Sequence, residues 1–176
     1  RSSIMKTEAL ERYLNSFGKY VVQQSRTNLT KGKKNVSKDL YNSISFKVIT
    51  TADGFSVQFF MDSYGTFVDK GVSGTDVRRS FKDYKGSTIS SPYKYTTKQP
   101  PSRVLDKWIV KKGIAPRDEK GRFMSRKSIS FLIARSIKRK GIQGISFFQK
   151  PLMLGMQQFS DKFGAAIKED IINSLK

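Results

Sequence analysis

The chain has 176 residues and a mass of 20.0 kDa, which favours one domain with a substantial core. It contains neither cysteine nor histidine, which excludes disulfides, Cys-based zinc sites and His-dependent catalysis. Its 34 Lys and Arg against 14 Asp and Glu leave a net charge of +20, which favours polyanionic partners such as nucleic acid or an acidic protein. No apolar run approaches the roughly 20 residues that span a bilayer, so we predict no membrane partner.

The first predicted element is an amphipathic helix from about Ser3 to Asn28. Apolar side chains recur in it every three or four positions, a spacing that places them on one helical face. The residues that set this period are Leu10, Leu14, Phe17 and Val21. A glycine- and lysine-rich segment, residues 30–39, ends the period and predicts a loop.

Residues 44–59 predict a β-hairpin with one buried face. Two runs of alternating apolar and polar residues are separated by an Ala-Asp-Gly turn signal at residues 52–54. The apolar members of the two runs are Ile44, Phe46, Val48, Phe55, Val57 and Phe59.

The hairpin leads into residues 61–74, Met-Asp-Ser-Tyr-Gly-Thr-Phe-Val-Asp-Lys-Gly-Val-Ser-Gly, which contain three glycines. The glycines match neither G-x-G-x-x-G nor G-x-x-x-x-G-K-[ST], so they do not predict a nucleotide site. We expect Gly65 and Gly71 to adopt positive φ at a chain reversal against which Tyr64, Phe67 and Val68 pack.

Four aspartates spaced seven residues apart resemble a carboxylate array that could hold a metal ion for phosphodiester cleavage. The glycines between them interrupt any helix that would align the side chains, so we expect solvated aspartates in turns. The four residues are Asp62, Asp69, Asp76 and Asp83. We predict no catalytic residue, no metal, no cofactor and no enzyme activity.

Residues 75–101 show no period and are rich in Gly, Ser, Thr, Lys and Pro. A connection this long is either a surface loop or a functional arm, and both interpretations stay open. Two helices are predicted after it. Ser102 is expected to cap the first and Gly113 to end it. Leu132 is expected to face inward on the second, which ends at Gly141.

The last predicted element is one long helix with Pro151 in its first turn. Apolar residues at spacings of four and three predict a single packed face along it. They are Leu152, Met156, Phe159, Phe163, Ile167, Ile171 and Leu175.

Basic residues concentrate just before this helix. Residues 111–150 contain 12 basic and 2 acidic residues, a net +10, whereas residues 151–176 contain 3 of each. Adjacent residues on a helix point about 100° apart, so consecutive cations do not form one clamp. We predict a surface that faces DNA or an acidic partner, made of Lys111, Lys112, Arg126, Lys127, Arg135, Lys138, Arg139 and Lys140.

The order of these parts resembles the head–tail connector family of tailed bacteriophages, the neck and tail-completion proteins. That family has a leucine-x-x-Ser-Ile entry to its first strand, a Tyr-Ala-x-x-Val-Glu-x-Gly corner and a Pro-Phe-leucine-x-Pro-Ala start to its last helix. The first motif is matched by Leu40, Ser43 and Ile44. The second is matched by Tyr64, Val68, Asp69 and Gly71, with Gly65 in place of alanine and Asp69 in place of glutamate. The third is matched loosely by Phe147, Phe148 and Pro151.

This resemblance covers residues 4–71 and 141–176, which it implies are the core of a single domain spanning 1–176. Residues 72–140 would then be a basic helical insertion, with an interlocking arm at 72–101. The implied fold is α+β, a small antiparallel sheet formed by the β-hairpin and packed by long N- and C-terminal helices.

The implied function is structural: a virion protein that forms a homo-oligomeric ring around the DNA channel, between the portal or head side and the tail. Its partners would be copies of itself, portal or adaptor proteins, tail proteins and, nonspecifically, phage DNA. It would assemble in the host bacterial cytoplasm and reside in the neck or tail region. The subunit contact would be shaped by Tyr64, Gly65, Phe67, Val68, Asp69 and Gly71.

An alternative function follows from the charge alone, without the resemblance. A nonspecific DNA-binding protein could use the basic insertion to contact phosphates. No zinc finger, RNA-recognition signature or clear helix-turn-helix predicts sequence-specific reading.

Overall fold

The computed structural model describes residues 6–34, 38–51 and 54–175. The protein is α+β, as predicted, and the described residues form seven helices and three two-stranded antiparallel sheets. The helices are α1 (Glu8–Lys31), α2 (Asp39–Ser43), α3 (Gly65–Lys70), α4 (Ser102–Lys112), α5 (Arg126–Lys140), α6 (Gln149–Gln157) and α7 (Phe159–Leu175). The strands are β1 (Ser45–Thr51), β2 (Gly54–Phe60), β3 (Gly71–Ser73), β4 (Ser80–Lys82), β5 (Thr88–Ser90) and β6 (Gly141–Gln143). The predicted helix start at Ser3 and the turn residues 52 and 53 lie outside the described residues.

The chain divides into two compact units. Unit 1 comprises Arg1–Gly65, Asp83–Ser87 and Phe147–Lys176, and unit 2 comprises Thr66–Lys82 and Thr88–Ser146. The charge is unequally shared between them: unit 2 has 19 Lys or Arg against 5 Asp or Glu, leaving +14 of the chain's +20. Unit 2 includes residues 72–82 and 88–140 of the predicted insertion, and residues 83–87 belong to unit 1.

Unit 1 is built around α1, which contacts the β1–β2 hairpin, α6 and α7. Leu14, Val21 and Leu29 are buried along α1. Full burial of such an aliphatic side chain stabilises the fold by about 1.5–3 kcal/mol. The centroid of the Phe59 ring of β2 lies 6.3 Å from that of Phe17 in α1 and 5.3 Å from that of Phe148, just before α6. These ring contacts join the hairpin to the N-terminal and C-terminal segments of unit 1.

The hairpin pairs as predicted, from Ser45 opposite Phe60 to Thr51 opposite Gly54. Its apolar side chains are only half-buried, at Phe46, Val48 and Val57 for example. Ile44 is fully buried but lies at the C-terminal cap of α2, not in β1. The alternating pattern identified both strands but started β1 one position early, at Ile44, and β2 one position late, at Phe55.

The C-terminal region contains two helices where one was predicted. Gln158 separates α6 from α7, and its backbone N–H donates to the Gly155 carbonyl three residues earlier, 3.3 Å away. The three-residue interval between the apolar positions Met156 and Phe159 fits both a continuous α-helix and a tightened turn. The apolar pattern therefore could not distinguish one helix from two. The predicted packed face is also wrong in part, since Met156, Phe159, Ile171 and Leu175 are exposed.

Unit 2 packs α4 against α5 and contains the short sheets β3–β6 and β4–β5. The segment without a sequence period is structured here, because it contributes β4 and β5 to this unit. The later part of this segment runs alongside β3 and pairs with it. The Ser73 N–H donates to the Tyr93 carbonyl, and the Tyr95 N–H donates to the Ser73 carbonyl, both at 2.9 Å. Hydrogen bonds between backbone groups hold this segment in place. Because they do not involve side chains, they produce no periodic pattern of apolar residues in the sequence.

Of the two residues predicted to cap α4, Gly113 is the observed cap and Ser102 is not. Gly113 ends the helix with φ +64°, as expected for a left-handed C-cap. Ser102 is the first helical residue, not the cap, because Pro101 occupies the N-cap position.

Candidate functional site

The corner at residues 64–71 is the first candidate site. It contains the short helix α3, which the sequence analysis did not predict because glycines were taken to interrupt it. Gly71 has φ +76°, as expected. Gly65 was also expected to have a positive φ, but it is a helical residue of α3, where a side chain would crowd its neighbours. A Cβ at position 65 would lie 2.6 Å from Met61 Sδ and 2.8 Å from Leu40 Cδ1.

Only part of the corner can contact a partner directly. Tyr64 and Phe67 are 43% and 41% exposed, whereas Gly65, Asp69 and Gly71 are buried. Val68 is half-buried. Tyr64 exposes a ring on unit 1, and Phe67 exposes a ring on unit 2.

Each exposed ring is held by its own unit. The Phe67 ring meets the Tyr93 ring edge-on, with centroids 4.7 Å apart. Partial burial raises the pKa of the Tyr64 phenol above its usual value of 10.0; a backbone hydrogen bond with Leu40 opposes this shift, and the Asp62 and Asp39 carboxylates add to it. Tyr64 is therefore a neutral ring at physiological pH.

In unit 1 the first connector motif contacts the start of the corner and the residues just before it. Ser43 Oγ accepts a hydrogen bond from Asp62 N at 2.9 Å, and Gly65 packs closely on Leu40. Near the last helix, Phe147 is fully buried and its carbonyl accepts from Asn28 Nδ2 at 3.3 Å.

In unit 2 the remainder of the corner is fixed by the backbone that precedes the third motif. Ile145 N donates to Val68 O at 3.1 Å, and Ser146 N donates to Asp69 O at 2.9 Å. Gly71 then pairs with Gln143 in the β3–β6 ladder.

The second candidate site is a cavity of about 680 Å³ in unit 2, beside the C-terminal half of α5. We call it the basic groove. Its lining residues are Asp76, Val77, Leu132, Arg135, Ser136, Arg139 and Lys140. Three of the eight predicted cations therefore share one surface, because positions 135 and 139 are one helical turn apart.

The other predicted cations do not line this groove. Lys138 points elsewhere and donates through Nζ to Thr97 O at 2.9 Å, which agrees with the expected divergence of adjacent helical positions. Arg126 lies 3.6 Å from Asp106 Oδ1. Lys111, Lys112 and Lys127 are exposed in the last turn of α4 and the first turn of α5.

Residues 74–79, which sequence reasoning missed, bind the end of α5. Thr75 N donates to Lys138 O and Asp76 N to Arg139 O, both at 2.9 Å, and Arg79 Nε donates to Lys140 O at 2.9 Å. Together with the bond from Gly141 N to Ile137 O, these satisfy the last four helical carbonyls. A helix end is capped here by a distant segment, for which the sequence carries no local signal.

Asp76 also pairs with a side chain of the groove. Its Oδ2 accepts from Arg139 Nε at 2.9 Å. This bond, with a second from the Thr75 hydroxyl, holds the pKa of the Asp76 carboxyl below its usual value of 3.8. Asp76 is thus a carboxylate already bound to one of the groove's guanidinium groups.

The four aspartates at intervals of seven occupy unlike surroundings. Asp62 is exposed, Asp69 is buried at the end of α3, and Asp76 pairs with Arg139. Asp83 is buried, not solvated, and its Oδ1 accepts from Lys85 N and Ser87 N in a turn. Over residues 6–34, 38–51 and 54–175, no three acidic side chains are grouped closely enough to hold a metal ion.

A search for membrane-spanning helices among the described residues found none with the necessary length and hydropathy. Comparison of the chain with protein-family models, with curated proteins and with solved structures gave no match.

Proposed function

We propose that this chain is a structural subunit of a phage neck or tail-completion ring, located between the portal or head side and the tail. In this role it performs no catalysis. Copies associate head to tail, so that one surface of each subunit meets a different surface of the next and the assembly closes by rotation.

One observation carries the proposal: in unit 1 the first connector motif lies against the start of the corner. Gly65 packs on Leu40, and the backbone N–H of Asp62, just before the corner, donates to Ser43 Oγ. Short motifs that occur by chance have no reason to be neighbours in the fold. This contact within unit 1 supports the resemblance.

The corner offers one partly exposed aromatic ring in each unit. Tyr64 belongs to unit 1, and Phe67 belongs to unit 2, where backbone hydrogen bonds to Val68 and Asp69 hold the residues that follow it. Aromatic side chains of this kind dominate the energetics of many protein interfaces. We assign the subunit contact to these two rings, with Gly65, Val68, Asp69 and Gly71 supporting them.

Electron microscopy of the purified chain tests the proposal. We expect closed rings with a central opening, and chemical crosslinks that join residues 64–71 of one subunit to a different segment of its neighbour. Crosslinks confined to single chains would contradict the assignment.

Nonspecific DNA binding is the second candidate, and the charge of unit 2 favours it. The +14 on this unit would attract phosphates, and the affinity would fall steeply as salt rises because counterions are released on binding. A gel mobility shift at increasing salt tests this. A chain that retards DNA but remains a monomer would favour this candidate over the ring.

A further inference from the structure

The basic groove combines three cations with exposed apolar side chains. Leu132 is 50% exposed and Val77 is 37% exposed, and both line the groove. Leu132 was expected to face the core, so the fold leaves an apolar side chain between cationic ones. A site of about 680 Å³ lies within the usual range for ligand sites, roughly 300–1,000 Å³.

Two of the cations are available to a ligand. Among the described residues, neither the Arg135 guanidinium nor the Lys140 ammonium makes a hydrogen bond or ion pair. Arg139 is engaged through Nε with Asp76. Guanidinium groups bind carboxylates in a planar, two-bonded geometry, so Arg135 is suited to an incoming carboxylate.

From these features we infer that the basic groove binds an acidic peptide segment of a partner protein, with an apolar side chain placed between its carboxylates. The carboxylates pair with Arg135 and Lys140, and the apolar side chain covers Leu132 and Val77. Asp76 bound to Arg139 shows the same pairing within the chain.

The groove suits such a peptide better than it suits DNA. Duplex DNA carries one charge per strand for about every 3.4 Å of helix axis, so a strand in the groove would bring phosphates past the ionised Asp76. It would also leave Leu132 and Val77 without an apolar partner. A peptide can place carboxylates only where the cations lie and present an apolar side chain between them.

A second cavity is also lined by residues 76 and 77. It has a volume of about 400 Å³, shares Asp76 and Val77 with the groove, and adds Arg78 and Lys94. An extended acidic segment longer than the groove would find further cations there. The inference thus specifies a peptide in an extended conformation.

The test is fluorescence anisotropy with a labelled nonapeptide that has one glutamate on each side of a central leucine and serine at the other positions. Two competitors are used: the same peptide with serine for leucine, which has the same charge, and a short DNA duplex. The protein variants are Arg135→Gln and Leu132→Ser, with Lys112→Gln as the control that removes an equal charge elsewhere in unit 2. Thermal melts followed by circular dichroism confirm that each variant is folded.

We expect Arg135→Gln to weaken peptide binding about tenfold, through loss of a charge-assisted hydrogen bond. Leu132→Ser should weaken peptide binding about fivefold. The peptide would bury the exposed half of the leucine side chain, and serine removes that gain. Lys112→Gln should change peptide binding less than about twofold, since it removes only long-range attraction. The serine peptide should bind more weakly than the leucine peptide.

Three results would overturn the inference: no binding of the leucine peptide, equal binding of the serine peptide, or equal weakening by Lys112→Gln. Displacement of the peptide by duplex DNA at lower concentration, with a dependence on Arg135, would reassign the groove to phosphate. The inference goes beyond the ring proposal and can fail independently of it. The variants Arg135→Gln and Leu132→Ser should lose peptide binding but still assemble as the unaltered chain does.

Discussion

At the scale of single residues, two neighbouring carboxylates of α7 have unlike roles. Asp170 is fully buried, and its two oxygens accept from Ala9 N and Leu10 N at 2.9 Å each. It supplies the α1 cap that Thr7 does not provide with its own side chain. Glu169 instead forms an exposed ion pair with Arg12 at 2.7 Å.

We predict that Asp170→Asn lowers the free energy of unfolding by about 2 kcal/mol. The substitution removes a negative charge from the α1 N-terminus and places an amide donor opposite backbone donors. Glu169→Gln is the matched control and should cost less than about 1 kcal/mol, because its ion pair is exposed. Urea unfolding measures both, and equal effects would contradict the capping role.

A second residue-scale prediction concerns Asp76. Its pKa should lie below 3.8 in the folded chain and return towards 3.8 in Arg139→Gln, because the hydrogen bond from Arg139 is the main cause of the shift. The pairing therefore contributes to stability above about pH 4 and ceases to do so as pH falls through the lowered pKa. A carboxyl-detected NMR titration measures it; an unchanged midpoint in the variant would refute the assigned cause.

Neither of these contacts could be predicted from the sequence. Asp170 lies 161 residues from Ala9, and Asp76 lies 63 residues from Arg139, so no local pattern joins them. The glycine ending α4 was predictable, because a left-handed cap requires a residue such as Gly113 at one known position.

At the scale of elements, the ladder between β3 and β6 depends on a close approach of backbones at Gly144. A Cβ there would lie 2.6 Å from Gly71 N and 2.7 Å from Asp69 O. Backbone atoms cannot move aside as the end of a flexible side chain can. Position 144 therefore controls how the corner meets the strand that follows α5.

Alanine substitutions at two glycines test this. Gly144→Ala should destabilise the chain by more than about 2 kcal/mol, since the added methyl group forces the two backbones apart. Gly164→Ala in α7 should stabilise it by about 0.5–1 kcal/mol, because nothing lies within 4 Å and alanine favours a helix. Thermal or urea unfolding measures both, and a neutral Gly144→Ala would show that the approach is not constrained.

Elements with a clear period were predictable and those without one were not. The period of α1 and the alternation of β1 and β2 come from a single buried face, which the sequence displays directly. Strands β3 to β6 have three residues each, too few for an alternation to be recognised. Helix α3 begins at Gly65, and glycine in that position favoured a turn over a helix.

At the scale of the whole molecule, the corner rings and the basic groove have different predicted roles. Tyr64 and Phe67 are proposed to hold copies of the chain together, and the groove is proposed to bind an acidic partner. Since unit 2 carries +14, copies repel each other at long range, so short-range contact between apolar rings must supply the attraction. Assembly should accordingly improve as salt rises.

We predict that Phe67→Ser prevents assembly while leaving the chain folded. The ring is 41% exposed, so the fold loses about half of a phenylalanine's burial and the contact with Tyr93, about 2 kcal/mol in all, which is less than the stability of a typical domain. Phe131→Ser, at another exposed phenylalanine of unit 2, is the control and should assemble normally. Light scattering with size-exclusion chromatography reports the difference, and assembly of Phe67→Ser would remove the corner from the interface.

The most direct measurement of the central claim is the mass of the unaltered chain in solution, determined over a wide range of concentration and paired with electron microscopy images. The account predicts a discrete multiple of 20.0 kDa that appears in images as a closed ring with a central opening. A single 20.0 kDa species at every concentration and salt would contradict it.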